Sequence, residues 1–509
     1  LSIKKLAGQT VWYGVSSIAA RFLYYLLTPY LTYHWNPDEF GVMSTLYAAI
    51  PFLNVVFTYG METTYFRFVQ KGDSPADKVY STGMISIICS TILLTGILFW
   101  WQNGLVELLK LQAHPEFISY TICIIAVDTL ATLPLAKLRQ NSRPKKFAFI
   151  QILTILLNIA LVYFFISVLP HKIAANPNSI FKLIYLPGYG VGYLIIANLI
   201  ASAFTLVLLY KEFFSFKLSF DPKLWRTMLV YALPLILVGF AGMINETFDR
   251  IMLLWWGAGD LEHVKTQVGI YSACYKLSLL ISLFIQAFRM GAEPFFFQQA
   301  GEENPQRVYA RVMKFFVITI TVMFLVVALY LDIWKHFISR PPSAIAGQPN
   351  PYWEGLKVVP ILLLANMFLG IYYNLAIWYK LTHKTLAGAY ITLLGAGITL
   401  FINYFFIARF SYMACAWATF ACYGSMMVVS FIWGQKTYRI PYAWKKLVAY
   451  MVIVVLFYFL HTALINIWTS RIFNLSLASF LLLCYVLFVA KVERKELERL
   501  PVVGRFFRK

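Results

Sequence analysis

Charge is what this sequence has least of. Asp, Glu, Lys and Arg make up 13% of its 509 residues, where a water-soluble domain carries about a quarter. With 60% hydrophobic residues and a mean hydropathy of +0.69, the chain holds more apolar surface than a soluble fold of this length could hide. Lipid is therefore its expected solvent. Cysteine is sparse too. Cys89, Cys123, Cys274, Cys415, Cys422 and Cys484 all fall in apolar segments without metal-ligand spacing, so they read as small packing residues and no metal site is expected. No G-x-x-x-x-G-K-[ST] phosphate loop occurs, which excludes an ATP-driven pump. Long polar connections are also missing. The longest on the outer side, near Asp332–Gly355, carries Pro341, Pro342, Pro349 and Pro351 and is too short for a soluble domain. Any function must reside between helices, and no cofactor is expected.

What the chain does have is long apolar runs. A membrane-spanning helix needs roughly 20 apolar residues. By that measure there are fourteen candidate spans, near 8–33, 41–68, 79–101, 117–136, 147–169, 190–210, 227–256, 267–297, 312–331, 356–379, 385–407, 412–434, 447–468 and 472–490. Runs this long are not the ~10-residue alternating strands of a closed barrel, and helices are the bilayer's other solution. The expected fold class is all-α, a polytopic membrane protein of about fourteen transmembrane helices. The first run is too long for a leader's apolar core and no small-residue cleavage site follows it, so no cleavable signal peptide is expected.

The net charge of +21 is explained by its distribution. If the N-terminus is cytoplasmic, 30 Lys and Arg lie in inner segments, nine in outer segments and four within spans. Lys137–Lys146, Lys211–Arg226, Lys436–Lys446 and the stretch after residue 490 supply most of the inner set. This positive-inside bias predicts both termini on the cytoplasmic side and requires no nucleic-acid partner.

An internal duplication is legible. Gly41-Val42-Met43-Ser44-Thr45-Leu46-Tyr47 opens span two and Gly269-Ile270-Tyr271-Ser272-Ala273-Cys274-Tyr275 opens span eight. Their inner ends read Gly60-Met61-Glu62 and Gly291-Ala292-Glu293, while Tyr163-Phe164-Phe165-Ile166 and Tyr404-Phe405-Phe406-Ile407 end spans five and eleven. The offsets, 228 to 241 residues, equal six spans. An even number keeps the copies in one orientation, as in parallel repeats about an axis along the membrane normal. The expected organisation is a six-helix lobe over 1–210, a cytoplasmic linker over 211–226, a second six-helix lobe over 227–434, and two additional helices with a basic tail over 435–509.

Local motifs point to a family. Leu6-Ala7-Gly8-Gln9-Thr10-Val11-Trp12 opens span one, Asn36-Pro37-Asp38-Glu39-Phe40-Gly41 resembles a "G-P-E-E-F-G" turn, and Gly60-Met61-Glu62-Thr63 resembles "G-L-E-T". Tyr231-Ala232-Leu233-Pro234-Leu235 followed by Asp249-Arg250 resembles "Y-G-L-P-L…D-R". In order and spacing, along nearly the whole chain, these resemble the polysaccharide transporter branch of the multidrug/oligosaccharidyl-lipid/polysaccharide exporter superfamily. The resemblance implies a V-shaped pair of lobes working by alternating access in a bacterial inner (plasma) membrane. It implies flipping of undecaprenyl-diphosphate-linked oligosaccharides, such as O-antigen, capsule or exopolysaccharide repeat units, to the outer leaflet. The implied partners are that lipid-linked substrate, membrane lipids, coupling protons or sodium ions, and polysaccharide-assembly proteins.

Ionisable residues inside spans cost several kcal/mol each and usually face a cavity or a partner. The basic ones are Arg21 in span one, Arg250 in span seven, and Lys276 and Arg289 in span eight. They are the candidate substrate site, since guanidinium forks and an ammonium charge suit a diphosphate headgroup. The competing reading is internal pairing, because Arg289 and Glu293, and Glu246 and Arg250, stand four residues apart on one helix face. Asp128, Glu246 and Asp249 are candidates for ion or proton coupling. Glu62 reads as a structural helix-end residue. The 33 tyrosines and 14 tryptophans suit interface belts and bundle packing and single out no sugar site.

Three alternative functions remain. A peptidoglycan-precursor flippase shares the architecture. A cation-coupled multidrug exporter would favour carboxylates over arginines, and the central spans here carry both signs. A polyprenyl-sugar glycosyltransferase or polymerase would need acidic residues in an outer loop, where Asp38-Glu39 sits. That loop is about seven residues long, and its carboxylates more simply cap span two. The chain is expected not to be an enzyme.

Overall fold

In the computed structural model, residues 18–19, 21–176, 180–382, 384–468 and 470–497 are described. Among them thirteen helical segments are long and apolar enough to cross a membrane, and no strand occurs. They are Pro37–Lys71, Ala76–Trp100, Glu116–Gln140, Pro144–Ala175, Val191–Leu208, Pro222–Glu246, Leu261–Phe297, Pro305–Ala328, Pro351–Leu381, Thr385–Phe410, Tyr412–Thr437, Trp444–Ile467 and Arg471–Val492. One by one these are predicted spans two to fourteen. Span one is described at 18–19 and from 21 onward, and it ends in helix Thr28–His34. The protein is a multi-pass, all-α membrane protein. Large apolar side chains such as Trp100, Ile92, Phe405 and Phe459 are exposed, as expected where lipid is the neighbour.

Local chemistry sets the span ends. Pro37 occupies the first turn of span two, where a missing N–H costs nothing. Glu39 Oε2 accepts the Asn36 N–H at 3.1 Å, which confirms a capping role for that carboxylate. Span seven begins with Pro222 after Asp221, whose side chain accepts the Lys223 and Leu224 amides. Spans two and seven are interrupted. Tyr59 and Gly60 take left-handed φ values of 34° and 70°, and split span two into Pro37–Thr58 and Met61–Lys71. Span seven, expected to run to residue 256, stops at Glu246; Thr247 departs from helical geometry and a separate helix, Phe248–Trp256, follows.

The described residues form two compact units. One comprises residues up to Ala273 with Ser339–Glu354 and Ala389–Cys422; the other comprises Cys274–Ile338, Gly355–Gly388 and the chain from Tyr423 onward. In the first, span four packs against spans two, three and six, and Met61, Tyr65, Tyr80, Leu133, Met228 and Ala232 form a buried cluster. The proline-rich connection is tied down there as well, through Tyr352 Oη to the Trp35 carbonyl at 2.8 Å and the Ser339 N–H to Thr32 Oγ1 at 2.9 Å. In the second unit, span nine packs against spans ten, thirteen and fourteen. The Thr321 and Tyr485 hydroxyls meet at 2.7 Å in that packing.

Candidate functional site

The break at Thr247 determines where the span-seven charges sit. Asp249 and Arg250 fall in the first turn of Phe248–Trp256, where a carboxylate favours the helix N-terminus. Asp249 is 4% exposed and bonded on both oxygens. Oδ1 accepts the Arg250 guanidinium and the Arg250 N–H, each at 2.9 Å, and Oδ2 accepts the Tyr271 hydroxyl at 2.5 Å. Arg250 also donates to the Glu246 carbonyl at 3.3 Å, and its guanidinium lies 5.6 Å from the centre of the Tyr271 ring. Arg250 thus touches the Glu246 backbone and forms an ion pair with Asp249. The Arg250 side chain is only 12% exposed, so this pair is nearly dry and holds the guanidinium in one orientation.

Span eight carries the other two cations. Lys276 is half-buried and Arg289 exposed, and their separation of thirteen positions spans about 20 Å of helix at ~1.5 Å each. Arg289 Nε meets Glu293 Oε1 at 2.8 Å, so the i, i+4 pair does form. The same oxygen accepts Lys380 at 2.6 Å, and the Arg289 guanidinium lies 4.6 Å from the centre of the Tyr373 ring. One carboxylate thus organises two cations in the second unit.

Arg21 is exposed on the helical turns preceding Leu27. Asp128 is bonded to Ser202 of span six and lies near a half-buried string of polar groups. Asn198 Nδ2 donates to Tyr47 Oη at 3.1 Å, and Tyr24 Oη lies 3.5 Å from the same oxygen. This brings together side chains of spans one, two, four and six. Glu62 pairs with Arg139 of span four, in keeping with a structural role.

The partner residues Tyr271, Arg139, Lys380 and Tyr373 were not singled out by sequence reasoning, although the repeat carried a signal for two of them. Glu62–Arg139 joins spans two and four, and Glu293–Lys380 joins spans eight and ten. The acids stand 231 residues apart and the bases 241, within the offsets of the duplication. The two clasps thus stand at the offset of the repeat read in the sequence.

An all-α, multi-pass chain with charges held between its spans belongs to the class of polytopic membrane proteins. More particularly, this chain belongs to the polysaccharide biosynthesis protein family, whose model matches residues 6–300. A second model, MatE, matches residues 234–405. No curated protein matches the sequence. Among solved structures, the chain is similar to the lipid II flippase MurJ in an inward closed conformation, at 14% identity over 95% of this chain and 99% of that one, with a TM-score of 0.67. It is similar to an inward-facing multidrug resistance MATE family transporter of the MOP superfamily, at 13% identity over 87% and 95%, with a TM-score of 0.62. A MOP superfamily transporter from Pyrococcus furiosus, described by a reverse polarity of its binding pocket, matches at 13% identity over 85% and 94%, with a TM-score of 0.57. At such identities the likeness is one of fold.

Proposed function

We propose that this protein flips an undecaprenyl-diphosphate-linked oligosaccharide from the cytoplasmic to the outer leaflet of a bacterial inner membrane, by alternating access of two six-helix lobes, with both termini cytoplasmic. The observation that carries the reading is the cationic set within the spans of a polysaccharide-family chain. Arg21, Arg250, Lys276 and Arg289 offer two to four positive groups to a headgroup that must shed water. Arg250 is oriented by Asp249, and Arg289 by Glu293 and Tyr373. An arriving diphosphate competes with these carboxylates for the same N–H groups, so binding and release exchange one set of charge-assisted bonds for another. The polyprenyl tail stays in lipid. Asp128, with Glu246 and Asp249 as further candidates, would couple transport to protons or sodium ions. The Tyr47–Asn198 string and the Ser202 bond make Asp128 the strongest of the three.

The MatE match over residues 234–405 favours one second reading, a cation-coupled multidrug exporter. The spans carry both signs, and the cations among them, Arg21, Arg250, Lys276 and Arg289, favour an anionic cargo instead. Replacing Arg250 and Lys276 together with alanine tests this. Loss of surface glycan with unchanged membrane insertion supports the flippase, and undiminished export removes these residues from the substrate path. Resistance to cationic drugs that rises with wild-type expression, without any glycan phenotype, would establish the exporter.

A further inference from the structure

The repeat that opens spans two and eight also makes a contact. Gly41 and Gly269, equivalent residues 228 positions apart, face each other at the starts of their helices. A Cβ on Gly41 would overlap the Lys265 carbonyl and lie 3.1 Å from the Gly269 nitrogen. A Cβ on Gly269 would overlap the Pro37 carbonyl and lie 2.9 Å from the Gly41 nitrogen. The contact is reciprocal. Each glycine meets the carbonyl of the residue four positions before its counterpart, and Pro37 and Lys265 are themselves 228 residues apart. Such self-complementary geometry arises where a two-fold axis passes through a contact, so the pseudo-symmetry axis of the duplication runs between these two glycines.

Glycine at both positions is otherwise unfavourable, since each costs about 0.5–1 kcal/mol relative to alanine inside a helix. Neither has a left-handed φ that would require it. What glycine provides here is approach of one backbone to another without a side chain between them. Side chains that interdigitate must repack when helices separate. Two bare backbones part without such rearrangement. A cavity of about 370 Å³, open to solvent, adjoins the junction and is lined by Asp38, Glu39, Val42, His114, Glu262 and Lys265 among others. Water therefore reaches the edge of the contact.

We infer that the Gly41–Gly269 contact is a releasable seal at the outer ends of spans two and eight, closed in the state seen here and opened when cargo leaves. The inference rests on the alternating-access reading above. It is tested in the full chain, in cells and in proteoliposomes. Gly41→Ala and Gly269→Ala, each better than glycine by helix propensity, should insert normally. Each should lower glycan export at least tenfold and raise labelling of Val42→Cys by a membrane-impermeant maleimide applied from outside, in a background with the native cysteines replaced. The double variant should be no worse than either single one, because one contact is lost. Gly96→Ala and Gly397→Ala, where an added Cβ meets nothing within 4 Å, should behave as wild type. Should the glycine variants fail to insert, a reducible bismaleimide tether between Asp38→Cys and Lys265→Cys decides the question. Export should stop on tethering and return on reduction. Full export with the tether closed, or unchanged Val42→Cys labelling in the alanine variants, would overturn the seal. If wild-type protein moves no lipid-linked glycan yet the labelling changes as expected, the seal stands and the cargo assignment falls.

Discussion

Glu493 follows the last residue of span fourteen, where a negative charge opposes the helix dipole by about 0.3–1 kcal/mol. It is kept there by three donors. Lys314 Nζ lies 2.7 Å from Oε2, while Lys446 Nζ at 3.2 Å and Tyr450 Oη at 2.7 Å share Oε1. The Glu493 side chain is 2% exposed and that of Lys314 13%, so Glu493→Ala takes the nearer carboxylate from a nearly dry ammonium and leaves it Glu496 Oε1 at 3.6 Å. Breaking a buried pair from one side costs roughly 3–5 kcal/mol. Glu493→Gln, which keeps an acceptor but loses the charge, should cost about 1–3 kcal/mol. Unfolding in mixed micelles by added dodecyl sulfate, followed by tryptophan fluorescence, reads both values. Burial alone would raise the Glu493 carboxyl above its ordinary value of 4.5, but Lys314, Tyr450 and Lys446 outweigh burial and hold it below. Its folded-state affinity for protons is thus the weaker one. Its contribution is complete above the ordinary value and is lost as pH falls through the lower folded one, from about pH 5 downward. Glu493→Gln should flatten that acid limb. A stability for Glu493→Ala within about 0.5 kcal/mol of wild type would refute the reasoning.

Other outcomes follow from the same contacts. Tyr271→Phe removes the hydroxyl from buried Asp249 and should destabilise by about 1–3 kcal/mol, seen as an earlier unfolding midpoint in detergent. Lys380→Ala should harm stability less than Glu293→Ala, since Arg289 still satisfies Glu293 in the first and two cations are stranded in the second. The reverse order in the same unfolding assay would show that Arg289 contributes nothing to the clasp. Cysteines placed at 140 and 440 should resist impermeant reagents applied from outside, and outer labelling at either would reverse the topology.

Thirteen spans were legible because the bilayer demands one property, sustained apolarity, that each segment displays without reference to its neighbours. The breaks were less so. Thr247 follows Glu246 with neither glycine nor proline to mark the end of a helix, whereas Gly60 beside Tyr59 marked a turn that the apolar run concealed. Charge partners were the least legible. The i, i+4 spacing drew attention to Glu246, and the ion pair of Arg250 with its neighbour Asp249 had no such signal. Arg139 and Lys380 come from spans two removed from their acids, a tertiary fact that only the repeat offsets hinted at.

The twin clasps have a consequence for how the polypeptide can be divided. Glu62–Arg139 and Glu293–Lys380 close within sequence stretches lying wholly on either side of 211–226, so a gene cut in that basic linker would separate neither partner from the other. Two fragments made in one cell would each enter the bilayer with their own internal fastening complete. What they would have to find again is each other, at the bare backbone around residues 41 and 269 and at the side chains where Met228 and Ala232 pack among Met61, Tyr65, Tyr80 and Leu133.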